Sequence, residues 1–186
     1  MASLGDLWIP ILVSAVVVFF ASSIIHMVLK YHRGDLGGLP QEDLVRDALR
    51  RQNVPPGQYM IPYCSDMKEM RGEAMQKKFL EGPVAIITLR PNGMMSMGRL
   101  LTQWLLYCLG VSFFTGYVAS ATIPFGAEYL TVFRVVGTVA WLAYASAEIS
   151  GGIWKSRPWK NVAKDVFDGL IYGLLTAGVF GWLWPR

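Results

Sequence analysis

The chain has 186 residues, of which 53% are hydrophobic and 16% charged, against roughly a quarter charged in an ordinary soluble domain. That length suits one domain, or one membrane bundle with a small appendage, and the apolar residues fall in four blocks with the charges between them, as a bilayer requires. The net charge of +4 does not indicate a nucleic-acid partner, because basic residues alternate with acids over 41–81 in the manner of a solvated, lipid-adjacent face.

The first block, residues 7–29, contains one ionisable group, His26. It is longer than the ~20 residues that cross a hydrocarbon core of roughly 30 Å. A cleaved signal peptide is the rival reading. It fails on three counts: no Lys or Arg precedes the apolar run, the run is too long, and no small-x-small cleavage site follows. An uncleaved membrane helix is expected over 1–30.

Residues 31–96 form a small α+β segment. Pro40-Gln-Glu-Asp opens a helix whose stripe of Leu44, Val45, Ala48 and Leu49 has helical spacing. Val54-Pro-Pro-Gly57 stops it. Residues 58–63 read as extended. Asp66 with Glu69 resembles a capping box, which predicts a second helix through Leu80 that ends at Gly82-Pro83. Residues 84–89 are a β-branched apolar run and are expected to form a short strand, turned by Pro91-Asn-Gly93. So small a segment buries too little surface to be stable alone.

Three further spans are expected within 97–186, at about 100–123, 129–154 and 166–184. Pro124-Phe125-Gly126 joins the first two as a tight turn. Of 17 Lys and Arg, eleven lie in 30–99 and four in 155–164, which leaves only Arg134 and Arg186. Cytoplasmic loops concentrate Lys and Arg. Both basic segments therefore face the cytoplasm and both termini face outward, in a four-helix transmembrane bundle of the all-α membrane class.

Close packing of small residues holds membrane helices together. Three ladders at spacing four are candidates for contact faces: Ser112, Gly116 and Ser120; Ala143, Ala147 and Gly151; Gly169, Gly173, Ala177 and Gly181. They suit packing within the bundle, or docking to another membrane protein or a second copy.

Ionisable residues inside a membrane usually face the bundle interior or a cavity. His26, Glu148 and Asp168 share a depth near the inner ends of their helices, with Tyr144 and Tyr172 one turn away and Arg99 and Gln103 on the second span. This polar cluster reads either as an ion-, proton- or ligand-handling site, or as an internal salt bridge such as Arg99–Glu148 with Asp168 stabilising its own helix N-terminus. Arg134 is expected to reach the outer surface or pair with Glu128.

Cofactor readings are weaker. A membrane haem needs paired histidines, and His32 lies beyond the expected membrane boundary. Cys64, Met67 and Met70 offer soft ligands for Cu(I), yet Met also fills apolar contact faces. No resident metal or cofactor is assigned. Cys64 and Cys108 lie in different regions, are expected to be free, and lack metal-type spacing. There is no phosphate loop, Gly-x-Ser-x-Gly or metalloprotease His pair, so nothing supports hydrolytic or phosphoryl-transfer chemistry, and a non-enzymatic role is favoured over an enzymatic one.

Ser22-Ser-Ile-Ile-His-Met27, Pro55-Pro-Gly-Gln-Tyr59 and Trp154-Lys-Ser-Arg-Pro-Trp159 resemble a set of small bacterial inner-membrane proteins. The resemblance implies a multi-pass bacterial cytoplasmic-membrane setting and brings no activity or ligand. The sequence thus leads to a non-enzymatic accessory, assembly or scaffold subunit. A small oligomeric transporter or channel-like protein is the alternative, and a haem or copper redox subunit stands third. A continuous polar cavity joining His26, Glu148 and Asp168 would favour the transporter-like reading over the scaffold.

Overall fold

A computed structural model describes residues 2–186, apart from the side chain of Met67. The chain is mostly helical (67%) and has one two-stranded sheet. It divides into two compact units, residues 1–36 with 96–186, and residues 37–95.

The larger unit opens with Ser3 capping a 3-10 turn, Leu4–Leu7, through reciprocal bonds with Asp6. Helix α1 (Trp8–Ser23) follows, and its final turn, Ile24–Val28, widens to π geometry. The other long helices of this unit are α5 (Met97–Thr122), α6 (Tyr129–Lys155) and α7 (Trp159–Trp182). Three segments, Leu4–Val28, Met97–Thr122 and Tyr129–Lys155, are long and apolar enough to cross a membrane. They display large apolar side chains outward, Phe20, Ile24, Phe114 and Leu142 among them. An apolar surface of that extent suits lipid and would be a liability in water. Exposed Trp154 and Trp159 lie at the α6–α7 turn, and Trp8 and Trp182 at the far ends of α1 and α7. That is where amphipathic rings meet a bilayer interface.

Helix α7 starts at Trp159, seven residues before the apolar run that begins at Val166. Its first turns carry Lys160, Lys164, Asp165 and Asp168, so its hydropathy lags behind that of the other three while its backbone is equally helical. The loop expected over 155–164 therefore shrinks to Ser156-Arg157-Pro158. Ser156 takes a left-handed conformation that ends α6, and Pro158 opens α7.

Helix α7 makes its most extensive contact with α6 and also packs on α1, which in turn packs on α5. The α7 ladder is the contact face: Gly169, Gly173, Ala177 and Gly181 are all buried. A Cβ on Gly173 would lie 3.0 Å from the Trp141 backbone nitrogen and 3.2 Å from the Gly137 oxygen. One on Gly169 would lie 3.0 Å from the Ala145 Cβ. The opposing row on α6 is thus Gly137, Trp141 and Ala145. The expected row is displaced, because Ala143 and Ala147 are exposed. Spacing four recurs on every helix face, and burial chooses among them. Gly151 is buried elsewhere, beneath the Arg157 side chain. On α5, Gly116 lies against Ile11 and Phe180. The Ser112 and Ser14 hydroxyls of α5 and α1 lie 3.0 Å apart and hydrogen-bond, and Ser120 turns back to its own helix.

The smaller unit holds α2 (Glu42–Arg51), β1 (Gly57–Ile61), a single turn α3 (Met67–Met70), α4 (Glu73–Glu81) and β2 (Ala85–Leu89). The strands pair antiparallel, Gly57 with Leu89 through Ile61 with Ala85. Strand β1 stops where Pro62 removes a donor. The single helix expected from Asp66 to Leu80 is broken at Gly72, whose extended backbone (ψ 147°) caps α4. Gly is a poor helix interior and a tolerable N-cap. On α2, Leu44 and Val45 remain exposed.

Candidate functional site

The two ends of the larger unit differ in chemistry. At one end Ala2, Leu7, Ile123, Val132, Phe180 and Trp184 form a buried apolar cluster. There the 124–126 turn is tied to the C-terminus by bonds from the Gly126 nitrogen to the Pro185 oxygen (3.0 Å) and from Trp184 Nε1 to the Pro124 oxygen (3.1 Å). At the other end the segment after α1, the start of α7 and the last turns of α6 enclose a cavity of about 570 Å³.

His26, Trp104, Tyr107 and Tyr144 line this cavity, as do Glu148, Arg157, Asp165, Asp168 and Tyr172. Five of the seven residues assigned to the polar cluster from sequence therefore meet there. Arg99 and Gln103 do not line it. Both are exposed, and neither side chain has a hydrogen-bond or ionic partner among the described residues. The ion pair expected between Arg99 and Glu148 is replaced by one between Arg157 and Glu148, and Arg157 also binds Asp165 at 2.6 Å. The short α6–α7 turn brings Arg157 over Gly151, where an added Cβ would lie 3.2 Å from the Arg157 Cδ. Burial works against the Arg157 charge, but these two carboxylates hold its pKa above the ordinary value.

The largest departure from expectation is at 29–36. The π turn carries a bond from the Leu29 nitrogen to the Ile24 oxygen (3.0 Å), after which Leu29 is extended. Turns at Lys30–Arg33 and His32–Asp35 fold the chain back. Tyr31 and His32, set beyond the membrane boundary by hydropathy, thereby reach α7. Single π turns of this kind are frequent at functional sites.

Helix α7 meets them with one face. Asn161, Lys164, Asp168 and Tyr172 recur at intervals of three and four, the spacing that aligns side chains on a helix. Asn161 donates to the Asp35 oxygen at 2.9 Å and Lys164 to the Tyr31 oxygen at 2.6 Å. Lys164 also pairs with the Asp35 carboxylate. Asp168 is the centre, with its side chain only 3% exposed. Its Oδ1 accepts from the Tyr31 hydroxyl. Its Oδ2 lies 2.8 Å from His32 Nε2 and 3.8 Å from His26 Nε2. The far nitrogen of His32, Nδ1, lies 2.6 Å from Asp35.

These partners set the local electrostatics. Burial opposes a charge on His32, yet hydrogen bonds to Asp35 and Asp168 raise its pKa overall. Bonds from Lys164 and His32 depress that of Asp35. Burial, and donation to Asp168, push the Tyr31 hydroxyl up. A doubly protonated His32 satisfies both carboxylates at once.

On the α5 side, Trp104 donates to Ser22 at 2.6 Å and ties α1 to the cavity wall. Tyr144 is 7% exposed, and its hydroxyl has the Cys108 thiol beside it but no hydrogen-bond partner among the described residues. An unpartnered buried hydroxyl is costly. Both cysteines are free. Cys64 donates to the Asp66 oxygen at 2.9 Å and Met70 is exposed, while the side chain of Met67, the third soft ligand considered, lies outside the described residues.

No known protein family, curated protein or solved structure matches the chain. The functional reading therefore rests on this geometry.

Proposed function

We propose that the chain is a four-span protein of the bacterial cytoplasmic membrane that binds a small polar or ionic ligand in the cavity at its cytoplasmic end. Helix α7 is the fourth span. Its 24 residues rise about 36 Å at 1.5 Å each, and it packs along α6 and α1. Both basic segments face the cytoplasm and both termini face outward, in accord with the concentration of Lys and Arg in cytoplasmic loops.

One observation carries the ligand reading: His26, Glu148 and Asp168 border a single cavity of about 570 Å³. A dry salt bridge would leave no such space. The size falls in the range of small-molecule pockets, about 300–1,000 Å³. Its titratable walls suit a charged or strongly polar occupant.

Side-specific labelling tests this reading. Tyr107 lines the cavity and is 44% exposed. With Cys64 and Cys108 replaced by Ser, Tyr107→Cys should react with a membrane-impermeant maleimide in inside-out vesicles and not in right-side-out ones. Protection on both sides, or labelling from outside, overturns the pocket reading.

A partner-binding subunit is the second reading. The smaller unit favours it, because Leu44 and Val45 on α2, and Met60 and Ile86 on the sheet, remain exposed. Co-purification in mild detergent should retain a partner that Leu44→Asp releases.

A further inference from the structure

We propose that His26, His32 and Asp168 form a binding site for one divalent transition-metal ion of the Zn²⁺ class, open on one side to the cavity. This inference deepens the pocket reading and rests on it for the open side.

The three ligand atoms, one imidazole nitrogen from each histidine and one carboxylate oxygen, all lie within 4.8 Å of one another. Metal–nitrogen and metal–oxygen bonds near 2.0–2.2 Å place neighbouring ligand atoms of a tetrahedral site about 3.4 Å apart. The separations from Asp168 Oδ2, 2.8 Å to His32 Nε2 and 3.8 Å to His26 Nε2, bracket that value. The two imidazole nitrogens, within 4.8 Å of one another, would close on the ion by side-chain rotation. The ion would take the place of the proton now shared between His32 Nε2 and Asp168, so one proton leaves as it enters.

The surroundings make this more than a chance cluster. A ligating histidine commonly donates its other ring N–H to a carboxylate, which fixes the tautomer and ring orientation. His32 Nδ1 does so to Asp35 at 2.6 Å, and Lys164 in turn holds Asp35. A ligating carboxylate is itself hydrogen-bonded, and Tyr31 binds Asp168 through Oδ1, leaving Oδ2 for the ion. His26 contributes the third donor from the cavity side, where its side chain is 48% exposed. Three protein ligands with a fourth position facing a cavity is the arrangement of zinc sites that bind or activate a further ligand. Two imidazoles and one carboxylate suit Zn²⁺ or Fe²⁺, whereas Mg²⁺ and Ca²⁺ take oxygen ligands.

The test uses the full-length, untagged protein in mild detergent, stripped by a chelator and titrated with Zn²⁺ in a calorimeter. The expected result is one ion per chain, retained in millimolar Mg²⁺. His26→Ala should abolish it. Asp35→Asn, which alters the support of His32 and no ligand, should weaken it about 10–100-fold. X-ray absorption at the zinc edge of the unaltered protein should count two imidazoles, a readout that does not depend on any variant folding. Absence of stoichiometric binding, binding undiminished in a folded His26→Ala protein, or fewer than two imidazoles overturns the site. The pocket reading fails separately: Zn²⁺ bound while Tyr107→Cys is unreachable from the cytoplasm keeps the metal and removes the open cavity. Labelling without Zn²⁺ binding does the reverse.

Discussion

The two ends of the larger unit are built from the same four helices and reach opposite solutions. At the end that carries the 124–126 turn, small residues let backbones approach until side chains interlock around Phe180, and bonds from Gly126 and Trp184 seal the loops. At the opposite end, Trp104, Tyr107, Tyr144 and Tyr172 border a space that charged groups share. One end stores stability and the other stores an opening, which polar chemistry maintains because each charge near lipid needs a partner or water.

That contrast can be broken most severely at Asp168. It is buried and joins Tyr31, His32 and His26. Asp168→Ala leaves those groups without their acceptor and should cost about 3–5 kcal/mol, as when one partner of a buried pair is removed. The expected outcome is a large fall in detergent-resistant folded protein, with greater accessibility of Lys164 to amine reagents.

The packed half should yield next. Gly173→Ile would drive a side chain into the Trp141 and Gly137 backbones, which cannot rotate away, at about 1–3 kcal/mol. Leu174, 46% exposed on the neighbouring face, is the control: Leu174→Ile should leave the melting temperature within a degree or two. Equal loss from both would deny that the ladder is a contact face. Gly181→Ala should be milder than Gly173→Ile, because only the Tyr129 ring must move.

Smaller effects separate the cavity wall from its centre. Glu148 and Arg157 are each about a third exposed, so solvent screens their pair, and Arg157 keeps Asp165 when Glu148 is neutralised. Glu148→Gln should therefore cost under about 1 kcal/mol. A loss as large as that of Asp168→Ala would show the wall to be as buried as the centre. Ser112→Ala, which removes the bond between Ser112 and Ser14, should cost about 0.6 kcal/mol, the average for hydrogen bonds between membrane helices. The loss is small because the Ser14 hydroxyl still binds the Pro10 oxygen at 2.6 Å.

Much of the site was legible in the sequence. His26, Tyr144, Glu148, Asp168 and Tyr172 could be placed at one depth because depth follows from distance along a helix. His32 was set aside for the same reason: hydropathy assigns a level by counting, and it cannot see a chain that turns back after Leu29. A usable signal was present in the interval of six residues from His26 to His32 with Asp35 three further on. Another is the polar face of Asn161, Lys164, Asp168 and Tyr172, which hydropathy conceals because it assigns 155–164 to a loop.

The sequence by itself determined the long apolar helices, the short strands and the residue types able to pack closely. Each of these is a local property of composition, period or turn chemistry. Tertiary structure alone decided which spacing-four row on α6 meets α7, that Arg157 rather than Arg99 neutralises Glu148, and that His32 joins His26 at Asp168. Those outcomes depend on helix rotation and on the path of short turns. A change of one residue in helix length rotates every side chain beyond it by about 100°, and no one-dimensional pattern records that angle.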